Sequence, residues 1–247
     1  MSQRQAPRDL FDRRRRALCR DRAARAGAEL FLLDAGFDEC LDRLRTIARR
    51  FDRALLIGAP SPEWPTRLSE VAAAVEVVDP GTLFAAAAGG RTVEEDRHDF
   101  GEARFDLTVA VGTLDTVNDL PLALQRIRFA LAPDSPLIGA IAGGDSLAAL
   151  RAAMIEADRA TGSVAARTHP RIEPSALAGL LQAAGFAMPV VDIERQRFGY
   201  RDLWTLARDL RAMGASNMLA DRVPGKGKAW AARAAAAFEA QGKDGRT

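Results

Sequence analysis

Ala54-Leu55-Leu56-Ile57-Gly58, a short apolar run closed by a glycine, is followed by Ala59-Pro60-Ser61-Pro62-Glu63-Trp64-Pro65. An apolar run with no polar alternation reads as a strand buried on both faces, which is the habit of parallel sheets. Downstream the texture repeats. A helix over about Thr66 to Ala74 leads to a strand Val75 to Asp79, a helix from Thr82, a strand Leu107 to Val111, a helix Leu120 to Leu131 and a strand Leu137 to Ala142. Short apolar strands alternating with helices mean βαβ units, so the expected fold is α/β, a Rossmann-like, doubly wound, mostly parallel sheet.

Upstream, Leu10, Phe11, Ala17 and Leu18 line the apolar side of a helix that carries Arg13 to Arg16. A second helix starts near Asp38 as N-cap, with Leu41, Leu44, Ile47, Ala48 and Phe51 at helical spacing. Beyond Gly144 the pattern predicts helices from Ser146 to Ala157, from Pro174 to Gly185, around Leu203 to Met213 and from Ala229 to Ala240, with a strand Met188 to Phe198 between the second and third. No repeat or low-complexity linker interrupts the chain. The economical division is one domain, 1–247: an N-terminal helical extension (1–52), a Rossmann-like core (53–145) and a C-terminal part with substrate-side helices (146–247).

The 247 residues carry a formal charge of +2, with 48% apolar and 28% charged residues. That composition excludes a disordered or collagenous chain, and the near-neutral balance argues against wholesale nucleic-acid binding. Cys19 and Cys40 have no metal or disulfide spacing, which fits a reducing compartment. The most apolar stretch, Ala176 to Val191, is broken by Gln182, Gly185 and Pro189, so no integral membrane segment is expected. Residues 1 to 25 hold nine Arg and three Asp, a local +6, and the remainder sums to −4. This end is either a solvated helix face or a surface for an anionic partner. Asp9, Asp12 and Asp21 argue against a transit peptide, and the expectation is a cytoplasmic protein.

Ligands of open α/β sheets bind outside the carboxyl ends of the strands. Gly58 ends the first strand, but the turn after it holds three prolines, each lacking an N–H that a ligand could use. Asp79 ends the second strand and suits either two ribose hydroxyls or the turn at Pro80-Gly81. Asp96, in a charged loop, suits either an adenine amine or solvent. A metal triad would need both histidines, His98 and His169, and no metal is expected; His169 reads equally as a loop hydrogen-bonding residue. No nucleophile elbow appears. In Arg208 to Asn217, Arg211 could grip a carboxylate and Asn217 could orient a polar group, or the segment could be an ordinary capped helix.

Phe105-Asp106-Leu107-Thr108-Val109-Ala110-Val111, Leu114, Val117-Asn118-Asp119-Leu120-Pro121 and Leu131-Ala132-Pro133-Asp134 together resemble the fourth-strand region of class I S-adenosylmethionine (SAM) methyltransferases. Phe11-Asp12-Arg13, Arg20-Asp21-Arg22-Ala23-Ala24, Leu41-Asp42-Arg43-Leu44, Gly143-Gly144-Asp145-Ser146-Leu147, His169-Pro170 and Arg208-Asp209-Leu210-Arg211-Ala212-Met213-Gly214-Ala215-Ser216-Asn217 are similar to one subfamily. It contains the methyltransferase-like complex I assembly factors, which are arginine hydroxylases, and their bacterial relatives; malonyl-acyl carrier protein methyltransferases are its neighbours. The resemblance implies SAM over Gly58, Asp79, Asp96 and Val111. It implies an acceptor approaching the 111–116 loop beneath residues 1–35 and 162–217, where His169, Arg211 and Asn217 would meet substrate. It also implies a protein partner, such as a respiratory complex I subunit; no nucleic acid is expected, from the charge balance.

The sequence departs from the subfamily in two places. The Gly-x-Gly turn after the first strand is replaced by the proline-rich one, and Lys243-Asp244-Gly245-Arg246 stands where the family continues into a last strand, so that strand is expected to be missing. Asp115 replaces a histidine of many relatives, and the catalytic residues stay unassigned. Two readings result: modification of a protein partner, or a non-catalytic assembly or binding protein with a degenerate SAM site.

Overall fold

In a computed structural model, residues 8–47, 49–162 and 164–242 are described. Ala48 and the Lys243 to Arg246 turn lie outside them. Two helices, α1 (Arg13–Ala26) and α2 (Phe31–Ile47), lead into β1 (Phe51–Ile57). Then come α3 (Glu63–Leu68), β2 (Ala72–Asp79), α4 (Thr82–Ala87), β3 (Arg91–Thr92), β4 (Leu107–Val111), α5 (Leu120–Ala130) and β5 (Leu137–Ala140), followed by α6 (Ala148–Arg159), α7 (Pro174–Ala183), α8 (Leu203–Ala212) and α9 (Lys228–Glu239).

The sheet runs β3-β2-β1-β4-β5, and every pairing is parallel. Ile57 stands beside Val78 on one side and Ala110 on the other, so β1, β2 and β4 end together. Alternation along β1 splits the core in two. Leu55 and Ile57 meet α5 through Ala123, Leu124 and Ile127, while Ala54 and Leu56 meet Phe37 and Leu41 of α2 and Trp64 of α3. Burial on both faces explains the unbroken apolar run from which the strand was predicted.

Several expectations need correction. Helix α2 begins at Phe31, so Asp38 lies inside it and is no N-cap; Phe51, placed on that helix, opens β1 two residues before the expected core boundary at 53. The predicted helix over Thr66 to Ala74 stops at Leu68, and Ala72 to Ala74 pair with β1, because tertiary ladder bonds outweigh alanine's modest helix preference. Residues 188–198 form no strand. Pro189 lacks a ladder donor and none of the described strands runs beside the segment, so its Met188, Val190 and Ile193 remain exposed. The two-residue β3 went unread because its burial is low and its pairing to β2 is set by the chain's return past α4.

The proline-rich turn has a packing role. It delivers Trp64 flat onto Phe37, with ring centroids 4.4 Å apart and planes 1° from parallel, and the indole Nε1 donates to Asp34 at 2.8 Å. Both rings are fully buried.

Candidate functional site

At the carboxyl end of the sheet, α1 packs on α4 and α8 and reaches Asp79 and Thr113 through its arginines. Arg13, Arg16 and Arg20 lie at i, i+3 and i+7, which at 3.6 residues per turn puts them on roughly a 60° arc of the helix. Each meets a carboxylate. Arg20 Nε donates to Asp79 Oδ1 at 2.7 Å and its Nη2 donates to Oδ2, while the guanidinium lies 5.1 Å from the Phe84 ring centroid. Arg16 forks onto Glu95 at 2.7 and 2.8 Å and donates to the Thr113 carbonyl at 2.8 Å and to Thr116 Oγ1 at 3.1 Å. Arg13 forks onto Asp96 at 2.6 and 2.7 Å. Burial by itself would raise the Asp96 pKa; the bonds from Arg13 outweigh it and hold the carboxyl below its usual range.

Asp79, fully buried, has no oxygen to spare. Oδ1 also accepts from the Gly81 N–H at 2.7 Å and Oδ2 from the Ala59 N–H at 3.0 Å, so two guanidinium donors and two backbone donors occupy its four acceptor positions. The helix is wedged in place at Arg20: a Cβ on Gly81 would come 2.6 Å from Arg20 Cβ, and one on Gly214 would come 3.2 Å from Arg20 Cα. Gly58 is equally hemmed in. At φ +79° it needs to be glycine, and a Cβ there would meet the Val111 carbonyl oxygen at 2.3 Å. In this arrangement the residues do not fit SAM: the ribose-type carboxylate is taken by Arg20, and the Asp96 oxygens are taken by Arg13 and by the Asp119 N–H at 3.1 Å.

A second group forms the cover. Phe11 exchanges backbone hydrogen bonds with the Asn118 side-chain amide at 2.7 and 3.0 Å, and Asp12 N–H donates to the Met218 carbonyl at 2.8 Å. His169, buried, stacks edge-on with Phe11 at 5.3 Å, and its Nε2 accepts from the Met218 N–H at 2.9 Å. Burial, then the neighbouring Arg171 charge, pushes its pKa down to about 4, so it is a neutral acceptor at physiological pH. Asn217 donates to the Arg167 carbonyl at 3.1 Å and accepts from the Leu219 N–H at 2.9 Å. Asp115, in the 3-10 turn Leu114–Thr116, pairs with Arg171 at 2.6 Å.

The structure therefore gathers Gly58, Asp79, Asp96 and Val111 at one sheet end and places His169 and Asn217 together in the cover, both in hydrogen-bonding roles. Arg211 is exposed in the last turn of α8, with no partner among the described residues that joins it to that pair. The solvated-face reading is corrected for Arg13 and Arg16, which are consumed internally, Arg16 being 1% exposed; it holds for Arg14, which is exposed. The pairings Arg16–Glu95 and Arg20–Asp79 were not legible in the sequence; the i, i+3, i+7 spacing was available, but nothing local to the helix says which acids lie opposite. Among the described residues no cluster could hold a metal ion, and none of the helices is long and apolar enough to cross a membrane.

Comparison with known proteins follows the same lines. The chain is 37% identical over 125 residues to the mitochondrial arginine-hydroxylase NDUFAF5 of Danio rerio, covering 50% of this chain and 39% of that protein. It is 34% identical over 142 residues to a malonyl-[acyl-carrier protein] O-methyltransferase of Xylella fastidiosa, covering 55% of this chain and 45% of that one. YcgJ of Bacillus subtilis superposes with a TM-score of 0.52 at 15% identity, over 72% of this chain and 77% of that one. The chain has the class I methyltransferase fold. Its matches span less than half the length of these two curated relatives. No family model matches.

Proposed function

We propose that this chain is a protein-binding assembly factor on a methyltransferase fold, acting as one domain in the cytoplasm, with its cofactor end closed by its own helix α1. The observation that carries the reading is the Asp79 carboxylate, whose four acceptor positions are filled by Arg20, Ala59 and Gly81. The three prolines after β1 support it, since they remove backbone donors where a nucleotide would need them. The resemblance of the Arg208 to Asn217 segment to the complex I assembly-factor subfamily makes a respiratory complex I subunit the partner to try first.

The test is thermal stability with SAM. A ligand at about a hundred times its dissociation constant adds about 2.7 kcal/mol, so a live site shows a clear shift. No shift is expected at millimolar SAM; a concentration-dependent rise would overturn the reading.

A second reading, enzymatic modification of the partner by methylation or arginine hydroxylation, is supported by the names of the same relatives and by Asp79 itself at the end of β2. It requires α1 to release Asp79. Mass spectrometry of the complex I subunit in a deletion strain separates the two: unaltered modification without this protein removes the enzymatic reading.

A further inference from the structure

The same helix that spends Arg13, Arg16 and Arg20 inward carries another set outward. Arg14, Leu18, Arg22 and Arg25 fall within roughly an 80° arc on the opposite side, along about 16 Å of helix at 1.5 Å per residue. The three arginines are exposed and have no ion-pair partner among the described residues, and Leu18, in their midst, is 37% exposed. Of the acids nearest in sequence, Asp12 caps α1 through the Arg15 N–H and Asp21 accepts from the Leu83 N–H at 2.9 Å, at the start of α4, while Glu29 stands beyond the helix end at Ala26. Arg222, from the return that pairs Leu219 with Phe11, is a further cation acting on the buried Cys19 of α1. Elsewhere on the surface Arg43, Arg45, Arg67, Arg91 and Arg104 are each tied to a carboxylate of the chain itself.

We propose that the outward face of α1, Arg14, Leu18, Arg22 and Arg25, is the docking surface for an acidic amphipathic helix of a protein partner. The proposal rests on the protein-binding reading above. Its charge asks for carboxylates spaced along one helix, and Leu18 asks for an apolar residue among them. Nucleic acid fits less well: the chain totals only +2 and sums to −4 beyond residue 25, so a polyanion would leave its attractive footing within one helix length. A membrane surface would want more than one large apolar side chain in the stripe.

The probe is a fluorescein-labelled, glutamate-rich amphipathic helical peptide, titrated by anisotropy against the full chain. The triple variant R14E/R22E/R25E is expected to weaken binding at least tenfold, and binding to the unmodified chain to weaken as salt rises. R53E/R197E/R233E, equal in net charge but remote in sequence and equally exposed, is expected to bind as the unmodified chain does. Circular dichroism melts establish that both variants fold; if R14E/R22E/R25E does not, R14Q/R22Q/R25Q takes its place. Unchanged binding by the α1 variant, an equal loss in the control, or tighter binding to a DNA duplex or to phosphatidylglycerol vesicles would overturn the proposal. A SAM-induced stabilisation would overturn the non-catalytic reading while leaving these measurements intact, so the two failures are distinguishable.

Discussion

Arg20 and Asp79 form a pair sealed from water, and the energetics of such pairs are asymmetric. The net worth of the pair is small, but removing one member strands a buried charge at about 3–5 kcal/mol. Arg20→Ala is therefore expected to destabilise the protein by about that amount, read by urea denaturation, with a fall in Tm of roughly 2–4 °C per kcal/mol for a chain of this size. If α1 covers a dormant cofactor site, the same variant gains a SAM-dependent rise in Tm that the unmodified chain lacks. His169 gives a pH signature. Its folded pKa, about 4, is below its ordinary value near 6.5, so the unfolded chain binds the proton first. Its contribution is fully present above about pH 6.5 and is lost as pH falls towards 4. In His169→Gln that slope is expected to flatten when stability is measured across this window; an unchanged slope would show that His169 is not buried as described.

Among the elements, α6 and α9 depend on one acid. Asp158, at the end of α6 and fully buried, takes both prongs of Arg167 at 2.9 Å, the Ala165 N–H at 3.0 Å and the Trp230 indole N–H at 2.8 Å. Arg167 lies over the Trp230 ring at 4.3 Å, so the cover loop, α6 and α9 meet at a single carboxylate. The Arg167 hydrogen bonds hold its pKa down to about 2. Asp158→Asn is expected to cost about 3 kcal/mol near neutral pH, because a paired buried charge loses its partner. A lowered pKa contributes stability above the unfolded value, near 4, and loses it towards 2, so the gap between variant and parent should close across that range in acid denaturation. None of this was legible from local pattern: Asp158 reads as one more polar position on an alanine-rich helix, and its partners are 7, 9 and 72 residues away.

For the whole molecule, α1 sets Arg13, Arg16 and Arg20 on the carboxylates at the carboxyl end of a methyltransferase fold. SAM is expected to leave the Tm of the unmodified chain unchanged, and partner affinity is expected to follow the outward arginines. The parallel sheet was legible because strands buried on both faces must be apolar throughout: Leu107 to Val111 has the bounds read from sequence, and Asp79 ends β2 as expected. The placement of Gly58 and Asp79 at one sheet end followed from the βαβ pattern, while Asp96 joined them only through the resemblance. The strand expected at 188–198 failed because extended structure is stable only against a partner, and periodicity contains no information about the partner. The solvated-face reading failed at Arg13 and Arg16 for the same reason, since local sequence shows a cationic helix but not the carboxylates across from it. The sequence by itself determined the α/β architecture and the edge of the sheet where chemistry would sit, because burial pattern and chain alternation are local. Only the tertiary structure decided that Arg13, Arg16 and Arg20 meet Asp96, Glu95 and Asp79 there, because burying a guanidinium becomes tolerable only when a distant chain segment brings a carboxylate to meet it.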